Sequence, residues 1–440
     1  MTYKETCDYL FNQTANFESQ GQSGYKPGLD VMEALDEHYG NPHTHFRIIH
    51  VAGTNGKGSV SHTLSSLLQV CGYKVGLYTS PHLLDFSERI RINGEPINED
   101  YVVNFVERDK DFFEKKRATF FEIATAMAFK YFSDCQVDIA VVEVGLGGRL
   151  DSTNIITPIL SVITNISLDH THLLGGSLEQ IAMEKGGIIK SNIPVVIGEA
   201  LPETRLVFEA LAGELDAPIF FAEDVPEVLS AELINADRGG MHYVTASFGE
   251  FNGELCGLYQ MKNTNTILTV VNELIRQGYL CQGESVENKN TFNYQLAYAF
   301  TEVSRLTGLK GRWQQVGDAP RVVCDTAHNV GGWKYLQQQL SAVSCNHMHI
   351  VFGMVDDKDV HGVMSLLPKD AIYYFTKAST KRALSEQSVQ ILGLQFGLNG
   401  NSYPTVHEAF MNAKINAEDN DFIFVGGSSY VVADFLKTCI

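Results

Sequence analysis

The run Gly53-Thr54-Asn55-Gly56-Lys57-Gly58-Ser59 carries the clearest chemistry in the chain. Glycines let consecutive backbone N–H groups converge on phosphate oxygens, and a helix opening behind them adds positive potential. Lys57 would then reach the β- and γ-phosphates of a nucleotide, and the Ser59 hydroxyl would ligate magnesium. The spacing departs from GxxxxGK[ST]: two residues are missing, and Gly58 stands between Lys57 and Ser59. The alternative is a glycine turn with a solvated lysine. The neighbours argue against it. FRIIHV (46–51) reads as a buried strand, and SVSHTLSSLLQVCG puts Val60, Leu64, Leu67, Leu68 and Cys71 on one helical stripe that Gly72 can end.

Glu143 ends VDIAVVEV (137–144), at a strand's carboxyl edge, where ligands bind in open α/β sheets. A carboxylate there suits a hard cation, or it pairs with nearby Arg149. His170 and His172 follow the strand ILSVITNI, beside Asp169. A zinc site would want further His or Cys at ligand spacing, and none is close; His172 reads as structural or surface. Lys185 lies on the helical stretch SLEQIAMEKGGII, where an ordinary lysine is a solvated charge. GLGGR (145–149) lacks the third glycine of a dinucleotide fingerprint and opens no obvious helix, which argues against NAD.

These residues need elements to hold them. YKVGLYT, PILSVIT and IPVVIG are further strand candidates, with helical stretches near 98–116, 119–134 and 177–189 between them. Such alternation with Val/Ile runs means a mostly parallel sheet covered on both faces. Residues 241–259 alternate apolar and polar around FNGE, which suggests an antiparallel hairpin; a helix follows at about 263–277. The polar GESVENKN (283–290) is the best linker candidate, and beyond it the βα rhythm restarts through RVVCDT, HIVFGM, AIYYFT and DFIFVGG. The expectation is two α/β domains, 1–290 and a smaller Rossmann-like 291–440, with a cleft between them.

Length and composition set the bounds. The 440 residues are 44% hydrophobic and 19% charged, ordinary for a soluble globular chain of more than one domain. With 33 basic against 52 acidic residues, the net charge of −19 argues against a nucleic-acid or anionic-membrane binder. The 8 cysteines form no CxxC pair and read as buried small hydrophobes. No signal peptide and no apolar run long enough to span a bilayer are visible, so a reduced, cytoplasmic protein is expected.

GTNGKGS is similar to the shortened phosphate loop of the Mur-ligase superfamily. Further segments narrow the resemblance to the folylpolyglutamate synthase/dihydrofolate synthase branch: Thr79-Ser80-Pro81-His82-Leu83 with Phe86, Glu88 and Arg89, then Phe121-Glu122 with Thr125. EVGLGGRLD (143–151), Ser167-Leu168-Asp169-His170, Glu184-Lys185-Gly186-Gly187-Ile188 and Asp325-Thr326-Ala327-His328-Asn329 follow in family order. The resemblance implies magnesium held by Ser59, Ser80, Glu143 and His170, and by Lys185 as a carbamate. Carbamylation requires the neutral amine, so a lowered pKa is implied there. Nucleotide contacts are implied for Gln260 and Asn263, for Arg312 of an altered PGR element (Lys310 replaces the proline), and for Asp325 and His328. Pro81, His82, Phe86, Arg89, Phe121 and Glu122 are the implied pterin-side walls, and Lys377, Ser379 and Arg382 the implied glutamate side. Phe86 and Phe121 could equally be core residues, and the Lys377–Arg382 stretch a solvated basic turn.

The implied activity is ATP-dependent ligation of L-glutamate to a reduced folate, and to dihydropteroate, through an acyl phosphate with two magnesium ions. The implied catalytic set is Lys57, Lys185 and His170, and the implied partners are small molecules acting on a monomer. The rivals are a peptidoglycan Mur ligase and a nucleotide-binding regulatory protein with no ligase activity. The SPHL…FSERI segment, and a phosphate loop that starts by residue 53, count against the first; intact Lys57, Glu143, His170 and Lys185 count against the second.

Overall fold

The structure is a computed structural model and describes residues 1–15, 28–234, 239–283, 285–356 and 358–439. Glu284 of the expected linker lies outside them. The Val/Ile runs form β1 (Arg47–Ala52), β2 (Val75–Tyr78), β3 (Ile90–Ile92), β4 (Glu95–Pro96), β5 (Ile139–Glu143), β6 (Leu160–Ile163), β7 (Val195–Ile197) and β8 (Ile219–Phe221). They make one sheet in the order β4-β3-β2-β5-β1-β6-β7-β8, parallel throughout except for the antiparallel edge strands β3 and β4. Strand periodicity divides the core. Ile139 and Val141 of β5 pack with Leu64 and Leu68 on one face, whereas Ala140 and Val142 pack with Ile123, Met127 and Phe129 on the other.

The helix behind the glycine run spans Lys57–Val70, two residues earlier than its apolar stripe suggests, and buries Val60, Leu64, Leu67 and Leu68. The expected hairpin belongs to a small antiparallel sheet of β9 (Val228–Leu233), β10 (Met241–Thr245) and β11 (Glu250–Gly253). Its turn is not at FNGE, which lies largely in β11. The Thr245 amide donates to Gly249 O at 3.1 Å, and Gly249 takes the positive φ of 75° that this tighter turn requires.

The second sheet comprises β12 (Gln314–Asp318), β13 (Arg321–Cys324), β14 (Met348–Phe352), β15 (Ile372–Thr376), β16 (Asn399–Tyr403) and β17 (Phe422–Gly426), in the order β12-β13-β17-β14-β15-β16. Only β12 runs antiparallel. Phe422 and Phe424 pack on one face with Trp333, and Ile423 and Val425 on the other with Val431 and Phe435. Of the described cysteines, Cys256 and Cys324 are buried and Cys281 is exposed; the reading of all as buried hydrophobes fails there. Among the described residues no helix is long and apolar enough to cross a membrane.

The division at 290 needs correction. The polar stretch taken as a linker starts the helix Val286–Thr301, where Ser285 accepts the Asn288 amide at 3.1 Å. Its polar opening hides an apolar face: Phe292, Leu296, Ala299 and Phe300 join the core of the first sheet. The helix Val303–Thr307 also packs against Lys57–Val70, so the N-terminal unit runs through Thr307 and the second begins with β12. Leu296→Ala should therefore destabilise the N-terminal unit by about 2–5 kcal/mol in urea unfolding. A fragment ending at residue 309 should unfold cooperatively, whereas one ending at 290 should not.

Candidate active site

Parallel register gathers the site. Val51 of β1 lies opposite Glu143 of β5 on one side and Val162 of β6 on the other. The glycine run after β1, Ser80 after β2, Glu143 and the Asp169-His170 loop after β6 therefore leave the same sheet edge. Two glycines shape the run. Gly53 sits at φ +145° with Thr164 Oγ1 where a Cβ would be (1.9 Å), and Gly56 at φ +84° with Asn263 Oδ1 2.3 Å from such a Cβ. Gly56 caps the helix, so the first-turn amides open into the loop.

Lys57 Nζ donates to Gly53 O at 3.0 Å and Thr54 O at 3.2 Å, and Lys185 Nζ donates to the same Gly53 O at 2.9 Å. Burial lowers both lysines. Lys185 falls to about 7, with the Lys57 ammonium as the second cause. Glu143 is 4% exposed and accepts the Ser80 amide at 3.3 Å; burial raises its pKa against the pull of Lys57. Arg149 pairs with Glu184 instead, at 2.8 Å, so the Glu143–Arg149 alternative is out. Ser59 is 1% exposed and its hydroxyl faces Gln260 Nε2 at 3.4 Å; Asn263 Nδ2 donates to Gln260 Oε1 at 2.8 Å.

The second sheet presents its own carboxyl edge to the first. From the loop after β13, Asn329 Nδ2 donates to Asn55 Oδ1 and to Asp169 Oδ2, each at 3.0 Å, and His328 Nε2 lies 3.4 Å from Asp169. From the loop after β14, Lys358 Nζ donates to Asp169 Oδ1 at 2.6 Å and meets His170 Nε2 at 3.2 Å. Burial alone would raise Asp169; the His328 hydrogen bond and the Lys358 charge hold it well below the usual carboxylate range. Arg312 bonds Thr326 and lies over the loop glycine Gly58. Asp325 is engaged by Tyr259 Oη and by the Trp313 and Ala327 amides at 2.7, 2.7 and 2.8 Å.

Of these groups, Lys57, Ser80, Asp169, His170, Lys185, His328 and Lys358 line one cavity of about 230 Å³ between the sheets, with Lys57, Asp169, His170 and Lys185 on its polar floor. Its apolar wall includes Phe120, Phe121, Leu146, Leu150 and Leu174, and Arg382 and Tyr430 close the far side. A smaller chamber of about 110 Å³ adjoins it at Ser80 and Pro81, with His82, Glu143, Arg91 and Arg312 around it.

Residues 51–271 match the Mur ligase middle domain and residues 311–429 the Mur ligase glutamate ligase domain. The chain is 31% identical to the folylpolyglutamate synthase of Lacticaseibacillus casei over 100% of this chain and 99% of that one. It is 32% identical to the dihydrofolate synthase/folylpolyglutamate synthase of Bacillus subtilis, covering 94% and 95%. The chain belongs to the folylpolyglutamate synthase/dihydrofolate synthase family. It spans half the length of a Haloferax volcanii relative named as a probable bifunctional folylpolyglutamate synthase/dihydropteroate synthase. Escherichia coli FolC in complex with DHPP and ADP superposes with a TM-score of 0.79 at 30% identity, covering 100% and 98%. A folylpolyglutamate synthase/dihydrofolate synthase of Yersinia pestis complexed with AMPPNP and an Mn ion gives 0.78 at 28%, covering 100% and 98%.

Set on this family's frame, the implied pterin-side residues separate. Pro81 and Phe121 line the cavity, the Phe121 ring lying where a Cβ on Gly145 would stand. Phe86 is 2% exposed and packs edge-on to Phe120 in the core, so it cannot stack on a ligand. Arg89 is fully buried, its Nε donating to His82 Nδ1 at 2.8 Å and its guanidinium over the Phe120 ring, so it braces the wall at both residues. Glu122 accepts the Thr119 amide at 2.7 Å and completes the capping box of the helix Phe120–Asp134. On the glutamate side, only Arg382 reaches the cavity. Lys377 is exposed near Glu386 at 4.0 Å, and Ser379 donates through its amide and hydroxyl to Asp434 at 2.6 and 2.7 Å.

Lys358 and Tyr259 were not legible as site residues. Lys358 carried one usable signal, its position just past the carboxyl end of a β14-type strand. Gly56→Ala should abolish ADP binding measured by calorimetry, because the new Cβ meets Asn263. Adding Asn263→Gly should remove that clash and recover part of the binding, leaving the positive-φ cost of about 1–3 kcal/mol and the loss of the Asn263 side chain.

Proposed function

We propose that this chain joins L-glutamate to the carboxylate of a reduced folate, and to that of dihydropteroate, using ATP. The observation that carries the reading is the single cavity in which the phosphate loop, two buried lysines, Asp169-His170 and Arg382 face an apolar wall with Phe121. The names of the Bacillus subtilis and Escherichia coli relatives, which give both synthase activities, support both substrates.

A carboxylate resists attack by an amine in water. Transfer of the γ-phosphoryl group of ATP to the pterin substrate's carboxylate gives an acyl phosphate and ADP. The glutamate amine then attacks the acyl carbon and phosphate leaves. Lys57, which now spends its ammonium on Gly53 O and Thr54 O, turns to the transferring phosphate, and the helix amides position that group. Arg312 and His328 meet the nucleotide from the second unit, and Arg382 meets the glutamate carboxylate. Phe121 stacks on the pterin or its aryl extension. The cavity is completed by the chain's own two units, which suits a monomer acting on small molecules alone.

The donor set fits magnesium. Glu143 is a buried carboxylate with no cation within 4.0 Å among the described residues, and Ser80 and the His170 ring stand at the same edge. Ser59, whose hydroxyl accepts from Gln260 at 3.4 Å, keeps a lone pair and belongs to the same donor set. Two magnesium ions, held by Ser59, Glu143, Ser80, His170 and a carbamate on Lys185, would supply charge neutralisation for phosphoryl transfer. Lys185 suits the modification because burial favours its neutral amine, which adds to CO2 with loss of one proton.

Purified protein with ATP, glutamate and either dihydropteroate or tetrahydrofolate should yield the glutamylated product of each, read by mass; no product from either would overturn the reading. Lys57→Ala should lower kcat with both substrates by about 10²–10³-fold or more while leaving the melting curve intact. Because the neutral fraction of Lys185 grows as pH rises through about 7, CO2-depleted enzyme should regain activity on adding bicarbonate faster at about pH 8 than at about pH 6. Equal recovery at both would count against the carbamate.

A further inference from the structure

Lys358 comes from the second unit, yet its side chain is 7% exposed and ends against the first unit's Asp169 and His170. Its ammonium donates to Asp169 Oδ1 at 2.6 Å and faces His170 Nε2 at 3.2 Å. An ammonium has only donors, so the Nε2 it faces acts as acceptor and the ring proton sits on Nδ1. A neutral imidazole offers one lone pair at that nitrogen. It can take the Lys358 N–H or a metal ion, not both.

We propose that Lys358 is a cation gate: it and the divalent ion compete for His170 Nε2, and metal binding releases the ammonium to an anion in the cavity. The inference rests on the reading of His170 as a metal ligand. Three observations bear on it. Lys57 and Lys358 both line the same cavity, so a divalent ion added beside them is resisted unless one cation withdraws. Asp169 is fixed on other sides by His328 at 3.4 Å and Asn329 at 3.0 Å, so the pair stays in place when Lys358 leaves. Arg382 belongs to the same unit and lines the same wall, so the released ammonium joins it facing the glutamate carboxylate or the acyl phosphate. The unit that carries Lys358 thereby couples metal loading to readiness for the second substrate.

The test is Mn2+ titration of the full chain, with free Mn2+ read by electron paramagnetic resonance and a non-hydrolysable ATP analogue saturating throughout. Lys358→Met should bind the His170-dependent ion at least threefold more tightly than the wild type, while its KM for glutamate rises several-fold in steady-state assays. Lys358→Arg, which keeps a cation against Nε2, should not tighten Mn2+ binding, and it controls for loss of packing. Unchanged or weaker Mn2+ binding in Lys358→Met, with His170→Ala still losing the ion, would overturn the gate and leave the metal assignment standing. Undiminished Mn2+ binding in His170→Ala would overturn both.

Discussion

The carbonyl oxygen of Gly53 accepts hydrogen bonds from two lysines, Lys57 at 3.0 Å and Lys185 at 2.9 Å. Two lysine amines meet on one buried oxygen, where burial disfavours the charged form of both and the Lys57 charge lowers Lys185 further. The arrangement stands because Gly53 occupies a positive-φ conformation with Thr164 packed where a side chain would be, which holds the carbonyl toward the lysines. It is completed by negative charge. Asp169 and Glu143 supply it, drawing Lys57 toward its charged form against burial.

That constraint explains the layout of both sheets. A parallel sheet sends the loops at its carboxyl edge to one side, so residues far apart in sequence converge without any local signal. The second unit repeats the device with β13, β14 and β15, and its loops deliver His328, Lys358 and Arg382 against the first unit's loops. Asp169 is where the two edges meet. It receives His328, Asn329 and Lys358 from the second unit, and the His328 hydrogen bond and Lys358 charge outweigh the burial that would otherwise raise its pKa.

The walls follow a different logic. Arg89 lies buried beneath His82 and across the Phe120 ring, and Glu122 closes a helix cap. Such residues shape the cavity by bracing the chain beside Pro81 and Phe121. A charged residue inside a motif is thus weak evidence for ligand contact. Satisfying a buried polar backbone uses the same side chains as binding does.

Much was legible from sequence because it is local. The glycine run, the stripe Val60, Leu64, Leu67, Leu68 and the unbroken Val/Ile strands each state their own conformation within a dozen residues, and Glu143 and His170 inherit their places from the ends of those strands. What only the tertiary structure decided is non-local. Phe86 and Phe121 have the same side chain, yet one is sealed by Phe120 and the other faces the cavity. The helix Val286–Thr301 opens with polar residues, so only the partner core shows that Phe292 and Leu296 belong to the first unit. Lys358 sits in a loop of acidic neighbours with no pattern of its own, and its importance comes from Asp169 and His170, nearly two hundred residues earlier. Sequence determines what each segment can become. Which side chains share one lone pair or one carbonyl is decided when the two sheet edges close on each other.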